Sequence, residues 1–419
     1  MLKPAKWLQP RSYHAFRCIG AQCEDTCCVG WIVNVDKDTY QRYQSCAHPE
    51  LGPRLRELVT IHADPASGDN YARINLSGPG CPFLSEGLCS IQNTLGEEQL
   101  PIMCSVYPRV MNLVDDVLQR SLDLSCPEAA RIVLLDPKPM EFDEEEGEPR
   151  DPRLANLSVL RTSDEQSGKP YRYFHEMRAL VIWLLQYRAD PLWKRLVIVA
   201  SLCDQLFQTA PPRVPGVLRA YRNGVAQGLF QQATASLHGQ PARPLELILE
   251  LFLARISSDF TAPPLLECYR KFMHCLNWTP ELSMQELGTR YSAAQAQYLA
   301  PFLAGHPHIL EHYLVNYVHR TLFPLGPQET TRGPSQHYVA QTIRDQCLVM
   351  LVHYGIVQLL LTGVAAHDKE QFAAGGAVRV IQSFSKAFEH SPSFPERALP
   401  LLARNGIQNC AQLAVLLAN

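Results

Sequence analysis

The second half of the chain carries apolar residues at the spacing of an α-helix. Met177, Leu180, Val181, Leu184 and Leu185 follow an i, i+3, i+4, i+7, i+8 pattern, which places them on one helix face. Further helices, separated by segments rich in Pro and Gly, are predicted over residues 192–207, 244–256, 298–303, 309–322, 338–364 and 377–388. The sequence shows no strand–helix alternation and no repeat of fixed period. These patterns predict an all-helical domain over residues 171–419.

The first 135 residues show a different pattern, with short apolar runs between many turn-forming residues. Residues 136–151 are acidic, rich in Pro and poor in branched apolar side chains, and this polar character continues to about residue 170. The expected fold is therefore mainly α. It comprises a small irregular cysteine-rich metal-cluster domain (1–135), an acidic linker rich in Pro and Gly (136–170) and a larger all-helical domain (171–419).

Composition narrows the possible function classes. The 419 residues are 46% apolar and 19% charged, which is enough apolar material for a sizeable core. The net charge of −3 gives no reason to expect nucleic acid or an anionic membrane as a partner. The one membrane candidate, residues 346–366, contains several polar side chains and is better explained as a buried helix. The first 16 residues lack the apolar region of a secretory signal, so a cytoplasmic location is expected.

Charge is distributed unevenly along the chain. Residues 1–170 contain 17 Lys and Arg against 25 Asp and Glu, whereas residues 171–419 contain 21 against 16. The two parts therefore carry charges of −8 and +5, which could attract each other across an interface. Scattered surface charge is the alternative interpretation.

Cysteines are concentrated near the beginning of the chain, where nine of the 14 lie within the first 126 residues. Eight of these fall into two groups: Cys18, Cys23, Cys27 and Cys28, and then Cys81, Cys89, Cys104 and Cys126. Clustered cysteines in a cytosolic chain are more often metal ligands than disulfides, although a secreted chain would favour disulfides. Four thiolates complete a zinc site or hold one [4Fe–4S] cluster, so eight serve two sites or one site with additional thiols.

The spacing of the cysteines favours an iron–sulfur cluster slightly over zinc. Structural zinc sites usually contain close C-x2-C pairs, which this chain lacks, whereas irregular gaps suit a larger cluster. Side chains of Cys27 and Cys28 would point apart in an extended chain, so we do not expect both to face one metal. Trp31 could shield a cluster or simply fill a small core. Arg109, which follows Tyr107 and Pro108, could neutralise a cluster or form an ordinary salt bridge.

Several motifs of well-known enzyme classes are absent from the sequence. It contains neither G-x-G-x-x-G after a strand nor G-x-x-x-x-G-K-[ST], and neither H-E-x-x-H nor G-x-S-x-G. The C-x3-C-x2-C motif of radical S-adenosylmethionine enzymes is also missing, because Cys27 is followed directly by Cys28. Histidines are scattered, and neighbours such as His312 and His319 are more simply explained by packing.

The cysteine motifs resemble a known family. The strings CIGAQCEDTCCVGWIVNVDKDTYQRY, CPFLSEGLCSIQNTLGEEQLPIMCSVYPR and SLDLSCPEAAR are similar to the flagellin lysine-N-methylases of the FliB type, which belong to a wider set with YkgJ-like cysteine clusters. The segment VRVIQSFSKAFEHSPSF (378–394) is similar to the C-terminal helix of the same family. Pro101 and Ser105 depart from the pattern, since the family more often has Ser and Arg there.

This resemblance implies methyl transfer from S-adenosylmethionine to lysines of flagellin, with a [4Fe–4S] cluster as cofactor and zinc as the alternative. It implies that the eight motif cysteines are the metal ligands and that Tyr107 and Arg109 belong to the cofactor site. It identifies neither a donor pocket nor a catalytic base. Flagellin is the expected partner, without nucleic acid or membrane, and the oligomeric state is left open.

Two other function classes compete with a methylase. A non-catalytic metal-binding structural or assembly protein would need the same cysteines. An iron–sulfur redox protein is less favoured, because the sequence offers no flavin or nicotinamide site.

Overall fold

The protein is described by a computed structural model and is mainly helical, as expected. The described residues are 5–29, 33–62, 71–76, 80–147, 157–163, 168–230, 242–256, 263–279, 281–330, 342–391 and 393–418.

Helices dominate from residue 174 onward. The first part contains α1 (Lys37–Gln44), α2 (Leu51–Leu58), α3 (Ser90–Leu95), α4 (Ile102–Val106) and α5 (Pro127–Leu134). The second part contains α6 (Phe174–Leu185), α7 (Leu192–Gln208), α8 (Val214–Ala226), α9 (Ala242–Ile256), α10 (Pro263–Cys275), α11 (Met284–Ala294), α12 (Ala300–Gly305), α13 (His308–Arg320), α14 (Ile343–Asp368), α15 (Ala374–Phe384), α16 (Phe394–Arg404) and α17 (Cys410–Leu416). Short π-helical turns, Gln295–Leu299 and Ser385–Glu389, precede α12 and extend α15. Apolar periodicity therefore predicted the helical character of this part and several of its helices, but not α8, α10, α11, α16 and α17.

The structure contains a sheet that the sequence analysis did not anticipate, and one of its strands comes from the part expected to be all-helical. The strands are β1 (Ala5–Pro10), β2 (Asn34–Val35), β3 (Val59–Ile61), β4 (Ala72–Ile74), β5 (Leu84–Ser85), β6 (Leu88–Cys89), β7 (Arg109–Val114), β8 (Val117–Leu122), β9 (Phe142–Gly147), β10 (Ser158–Leu160) and β11 (Glu329–Thr330). Six of them form one mixed sheet in the order β11-β10-β7-β8-β1-β9. Strands β2, β4 and β3 form a small sheet in that order, and β5 and β6 form a hairpin.

The segment expected to be an exposed acidic linker supplies two of these strands. β9 pairs antiparallel with β1 over six residues, and β10 pairs parallel with β7. Acidic side chains of β9 are tolerated because this strand lies at the sheet edge, where Asp143 pairs with Arg11 at 2.9 Å and Glu145 with His14 at 2.9 Å. Residues 142–147 and 158–160 are thus paired strands instead of exposed chain.

Among the described residues, buried apolar side chains form two large cores, which do not divide at residue 135, and a third small cluster around Leu118 and Leu157. The smaller core is built from β2, β3, β4, α1, α2 and α3, and it includes Cys81. The larger core joins the helices of the second part to Phe16, Val114, Leu122 and Val133 of the first. The six-stranded sheet and α5 therefore pack with the helical part, whereas the described residues of 33–62, 71–76 and 80–100 form a separate cysteine-containing lobe.

Polar residues of α13 fasten this helix to the first part. The Asn316 side chain donates to the carbonyl of Leu122 at 3.1 Å, and the His312 and His319 rings hydrogen-bond to the carbonyls of Val133 (2.9 Å) and Arg120 (3.0 Å). These buried histidines are accounted for by backbone partners, which confirms the packing interpretation.

The longest helix, α14, is the former membrane candidate. With its final turn it runs over Ile343–Gln371 and is long and apolar enough to cross a membrane, yet its most apolar window is entirely buried within the protein. It packs so tightly against α10 that a Cβ at Gly363 would lie 2.5 Å from the Cα of Phe272. The prediction of a buried helix is confirmed.

Candidate functional site

Five of the eight motif cysteines line one small cavity, which we name the thiol cavity. Its volume is about 50 Å³, and its cysteines are Cys27, Cys28, Cys81, Cys89 and Cys104. The remaining wall is mostly apolar, with Val33, Ile74, Ile91, Leu100, Pro101 and Tyr107. The structure therefore combines cysteines from both sequence groups.

Short local elements position these thiols. The backbone N–H of Cys81 donates to the carbonyl of Cys28 at 2.8 Å, which ties the two cysteine segments together. Cys89 ends the β5–β6 hairpin, whose turn residues Glu86 and Gly87 have left-handed φ angles of 52° and 79°. The same cysteine immediately precedes α3. Cys104 projects from the short helix α4.

The thiols of Cys27, Cys28 and Cys89 are hydrogen-bonded to one another. Cys28 keeps its proton, because its hydrogen bonds to Cys27 and Cys89, together with burial, raise its pKa. Hydrogen bonding with Cys28 lowers the pKa of Cys27 to about 7 and that of Cys89 to about 6. The one S–H of Cys28 donates to either of these sulfurs, one at a time. Burial raises the pKa of Cys81 and Cys104. The cavity thus contains sulfurs that readily become thiolates beside protonated ones.

Adjacent Cys27 and Cys28 both face this cavity, contrary to the expectation that they point apart. The expectation assumed an extended chain, but residues 24–28 form a bend and turn before the short bridge of Val29 with Gly80. A turn changes the direction of successive side chains, so neighbouring cysteines can converge.

Cys18, Cys23 and Cys126 lie beside the thiol cavity. Burial raises the pKa of Cys126 to about 12, and the charges of Cys23, Cys18 and Cys27 add to this rise, so these four sulfurs are near one another. The charge of Cys27 also contributes to the raised pKa of Cys81 and Cys104. Cys27 therefore lies between the cysteines of the cavity and those beside it. All eight motif cysteines therefore occupy one region.

The sulfur donors of the thiol cavity are of the type that binds zinc or an iron–sulfur cluster. Among the described residues, no three or more Cys, His, Asp or Glu side chains are arranged to hold a single metal ion. The five thiols instead surround a cavity, which exceeds the roughly 10–15 Å³ that one water requires. Sulfur donors around an apolar space match the preference of iron–sulfur clusters for Cys thiolates.

The two other predicted site residues are placed differently. Tyr107 lines the thiol cavity, and its hydroxyl shares a hydrogen bond of 2.9 Å with Ser125 Oγ. Arg109 lies with its guanidinium 5.0 Å from the centre of the Phe16 ring and is not among the cavity-lining residues. A cofactor role for either residue stays a prediction. Gly30 and Trp31 lie outside the described residues.

One face of α15 and its π-helical extension docks on the cysteine loops. Gln382 and Lys386, four residues apart, both donate to Asp25 Oδ2 at 2.8 Å, and Gln382 also donates to the carbonyl of Ser125 at 2.8 Å. Lys386 reaches the carbonyl of Thr26 at 2.9 Å. The loop between Cys23 and Cys27 is therefore held by the C-terminal part of the chain.

A buried ion network continues from this docked face. Burial would raise the pKa of Asp123, but His390 at 3.3 Å and Arg320 at 3.6 Å hold that pKa well below its usual value. The charge of Asp123 in turn raises the pKa of His390. Arg320 also pairs with Glu389, which accepts a hydrogen bond from Tyr313 at 2.9 Å. Cations of the second part thus pair with carboxylates of the first, as the charge distribution suggested.

The sequence analysis did not identify the residues of α15 and its extension that contact the cysteine loops. Gln382, Lys386 and His390 recur at i, i+4 and i+8 within the segment that resembles the family's C-terminal helix. Their partners, Asp25 and Asp123, flank motif cysteines. A polar stripe on an otherwise apolar helix was the available signal, but its partners lie more than 250 residues away.

The fold and site define a mainly helical protein whose C-terminal helices support a cysteine-lined cavity. Residues 178–416, more than half of the chain, match the FliB lysine N-methylase C-terminal domain, so the chain belongs to this family. The match includes the middle of the chain, where the sequence motifs gave little guidance. The resemblance inferred from the cysteine motifs is confirmed.

Curated relatives match shorter segments. The chain is 29% identical over 160 residues to the flagellar biosynthetic protein FliU of Salmonella muenchen, covering 38% of this chain and 91% of that protein. It is 30% identical over 137 residues to the lysine-N-methylases of Salmonella typhimurium and Salmonella choleraesuis, covering 32% of this chain and 34% of each relative. The matched segment thus spans about a third of those two enzymes. No solved structure matches the chain.

Proposed function

We propose that this protein is a protein-lysine N-methyltransferase that methylates flagellin in the cytoplasm, with S-adenosylmethionine as donor and a [4Fe–4S] cluster as cofactor. The observation that carries the proposal is the docking of a family-matched segment, α15 and its extension, onto the loop that bears Cys23, Cys27 and Cys28. Relatives named for lysine methylation and for flagellar biosynthesis support the reaction and the substrate class.

Cys27, Cys81, Cys89 and Cys104 are the proposed cluster ligands, with Cys28 available because it shares the cavity. Hydrogen bonds from Cys28 favour thiolates at Cys27 and Cys89, the form that binds metal. The apolar wall lowers the polarity of the surroundings of the sulfurs.

The chain itself must bring the reacting groups into line. Methyl transfer requires a neutral lysine amine aligned with the methyl carbon and the sulfonium sulfur. Asp25 and Asp123 fix the cysteine loops to the helical part through Lys386, His390 and Arg320. This rigid junction limits relative movement of the loops and of any donor held beside them.

The test is methyl transfer by anaerobically purified protein, with iron and sulfide measured in the same preparation. Purified flagellin and isotopically labelled S-adenosylmethionine should give labelled lysines by peptide mass spectrometry. The matched control is flagellin with its surface lysines acetylated, which should remain unlabelled.

A competing function is a metal-binding assembly protein, which the same thiol cavity would serve. Cluster-replete protein that leaves flagellin unlabelled would favour this alternative and contradict the methyltransferase proposal. Zinc in place of iron and sulfide would contradict only the cofactor part.

A further inference from the structure

A second and larger opening lies next to the cysteine loop. This cleft of about 290 Å³ lies between α10, the end of α14 and the first turns of α15, and Glu24 of the cysteine loop contributes to its wall. We name it the charged cleft. Its charged lining residues are Glu24, Glu267, Lys271, Asp368 and Arg379.

Most charges of the cleft already have partners. Asp368 binds Lys271 at 2.9 Å, and Glu24 binds Arg131 at 2.6 Å. Within the described part of the chain, Arg379 and Glu267 form no ion pair, although both are exposed and line the same cleft. One cation and one anion are therefore left to bind an incoming ligand.

The cationic side of the cleft is prepared for an anion. Arg379 lies one helical turn after Gly375, which also lines the cleft, and a Cβ at Gly375 would meet no atom within 4 Å. Ala373 is the N-cap residue of α15, and its side chain forms no capping hydrogen bond. Gly376 and Ala377 donate their N–H groups to the Ala373 carbonyl, whereas the N–H groups of Ala374 and Gly375 have no backbone partner among the described residues. The helix dipole favours a carboxylate at these two groups.

A ligand that satisfies both unpaired groups carries a carboxylate and an ammonium group. The volume is at the lower end of the roughly 300–1,000 Å³ typical of ligand sites, which suits an amino-acid moiety with the remainder of the molecule outside. A lysine side chain would engage the carboxylates but leave Arg379 and the first turn of α15 unused. The observations therefore favour an α-amino acid group.

We propose that the charged cleft binds the amino-acid end of the methyl donor, with its carboxylate on Arg379 and the first turn of α15 and its ammonium on Glu267. The identity of the donor rests on the proposed function. Glu24 gives the cleft a direct connection to the cysteine site, because the same loop carries Cys23 and Cys27. The donor's sulfonium would then lie between the cleft and the cysteines.

The test is calorimetric binding of S-adenosylhomocysteine, the demethylated donor, to the full-length cluster-replete protein. Arg379→Gln should weaken binding at least tenfold, because a charge-assisted hydrogen-bond pair is lost. Glu267→Gln should weaken it by a smaller factor. Arg270→Gln is the matched control, since Arg270 is exposed on α10 but does not line the cleft, and it should bind as the wild type does. Adenosine alone should bind all four proteins equally.

Two results would overturn the cleft assignment. One is unchanged affinity of folded Arg379→Gln and Glu267→Gln proteins for S-adenosylhomocysteine. The other is methyl transfer by wild-type protein that shows no binding of this compound at all. Binding that both cleft variants weaken, in a protein that methylates no flagellin, would uphold the cleft and contradict the proposed function instead.

Discussion

Two groups of neighbouring thiols occur in this protein, and they differ in the structure that supports them. The thiol cavity is built from a turn, a hairpin and a short helix, and most of its cysteines are partly or well exposed. The second group, which we name the core thiols, consists of Cys203, Cys347 and Cys410 on helices of the larger core, each with 0% exposure. Cys347 hydrogen-bonds to both of the others.

The comparison shows that proximity of cysteines does not by itself define a metal site. Burial, followed by its hydrogen bonds, raises the pKa of Cys347, so this thiol remains protonated and behaves as a small apolar side chain. In the thiol cavity, hydrogen bonds from Cys28 outweigh burial and lower the pKa of Cys27 and Cys89. A cavity and accessible thiolates distinguish a candidate ligand set from core packing.

We expect the largest difference between the two groups when one cysteine of each is replaced and bound iron and methyl transfer are compared. Cys89→Ser should abolish most bound iron and most methyl transfer, because a cluster ligand is lost. Cys347→Ser should retain both while lowering the melting temperature. Iron and sulfide per chain, together with labelled-methyl transfer, provide the measurement. Equal iron loss in the two variants would erase the proposed distinction between the groups.

The rate of alkylation should differ between the cysteines of the first part and the core thiols. In metal-free protein, iodoacetamide should modify the exposed Cys18 and Cys27 readily, whereas the core thiols should react only when the protein unfolds. Global opening costs about 5–15 kcal/mol, so the core thiols should react at least about a thousandfold more slowly than the exposed ones. Peptide mass spectrometry over time gives the site-specific rates. Comparable rates for Cys27 and Cys347 would contradict the burial difference.

The junction between the two regions should depend on Asp123. Asp123→Ala leaves Arg320 without one of its buried partners and should lower the free energy of unfolding by about 3–5 kcal/mol. Asp143→Ala removes an ion pair at the exposed sheet edge and should cost less than about 1 kcal/mol. Urea denaturation of both variants measures the difference. Similar midpoints would show that the buried network contributes little to joining the regions.

Acid should weaken the helical core gradually. Burial, assisted by the charge of Arg320, lowers the pKa of His353 to about 3, whereas an unfolded histidine titrates near 6.5. The unfolded state therefore binds more protons in this interval, and from pH 7 to pH 5 stability should fall by about 2 kcal/mol for this residue. His353→Phe should reduce that pH dependence in urea denaturation, because the stacked contact with Phe394 persists without titration. A pH dependence identical to that of the wild type would contradict this assignment.

The sequence by itself determined much of the helical part and the family to which the chain belongs. Apolar spacing located α6, α7, α9, α13 and α14, because helix formation depends on contacts three and four residues apart. Cysteine spacing and local motifs indicated the family and a metal site through residue type alone.

Only the tertiary structure decided how these elements meet. The acidic strand β9 has no apolar alternation, and its pairing with β1 joins residues more than 130 positions apart. Convergence of Cys27 and Cys28 required a turn, and the contact of Lys386 with Asp25 spans 361 residues. Such contacts depend on the packing of distant segments, which leaves no periodic pattern in either segment. The residues of the cysteine site were thus readable from the sequence, whereas the cavity, its docking helix and the charged cleft arise from folding.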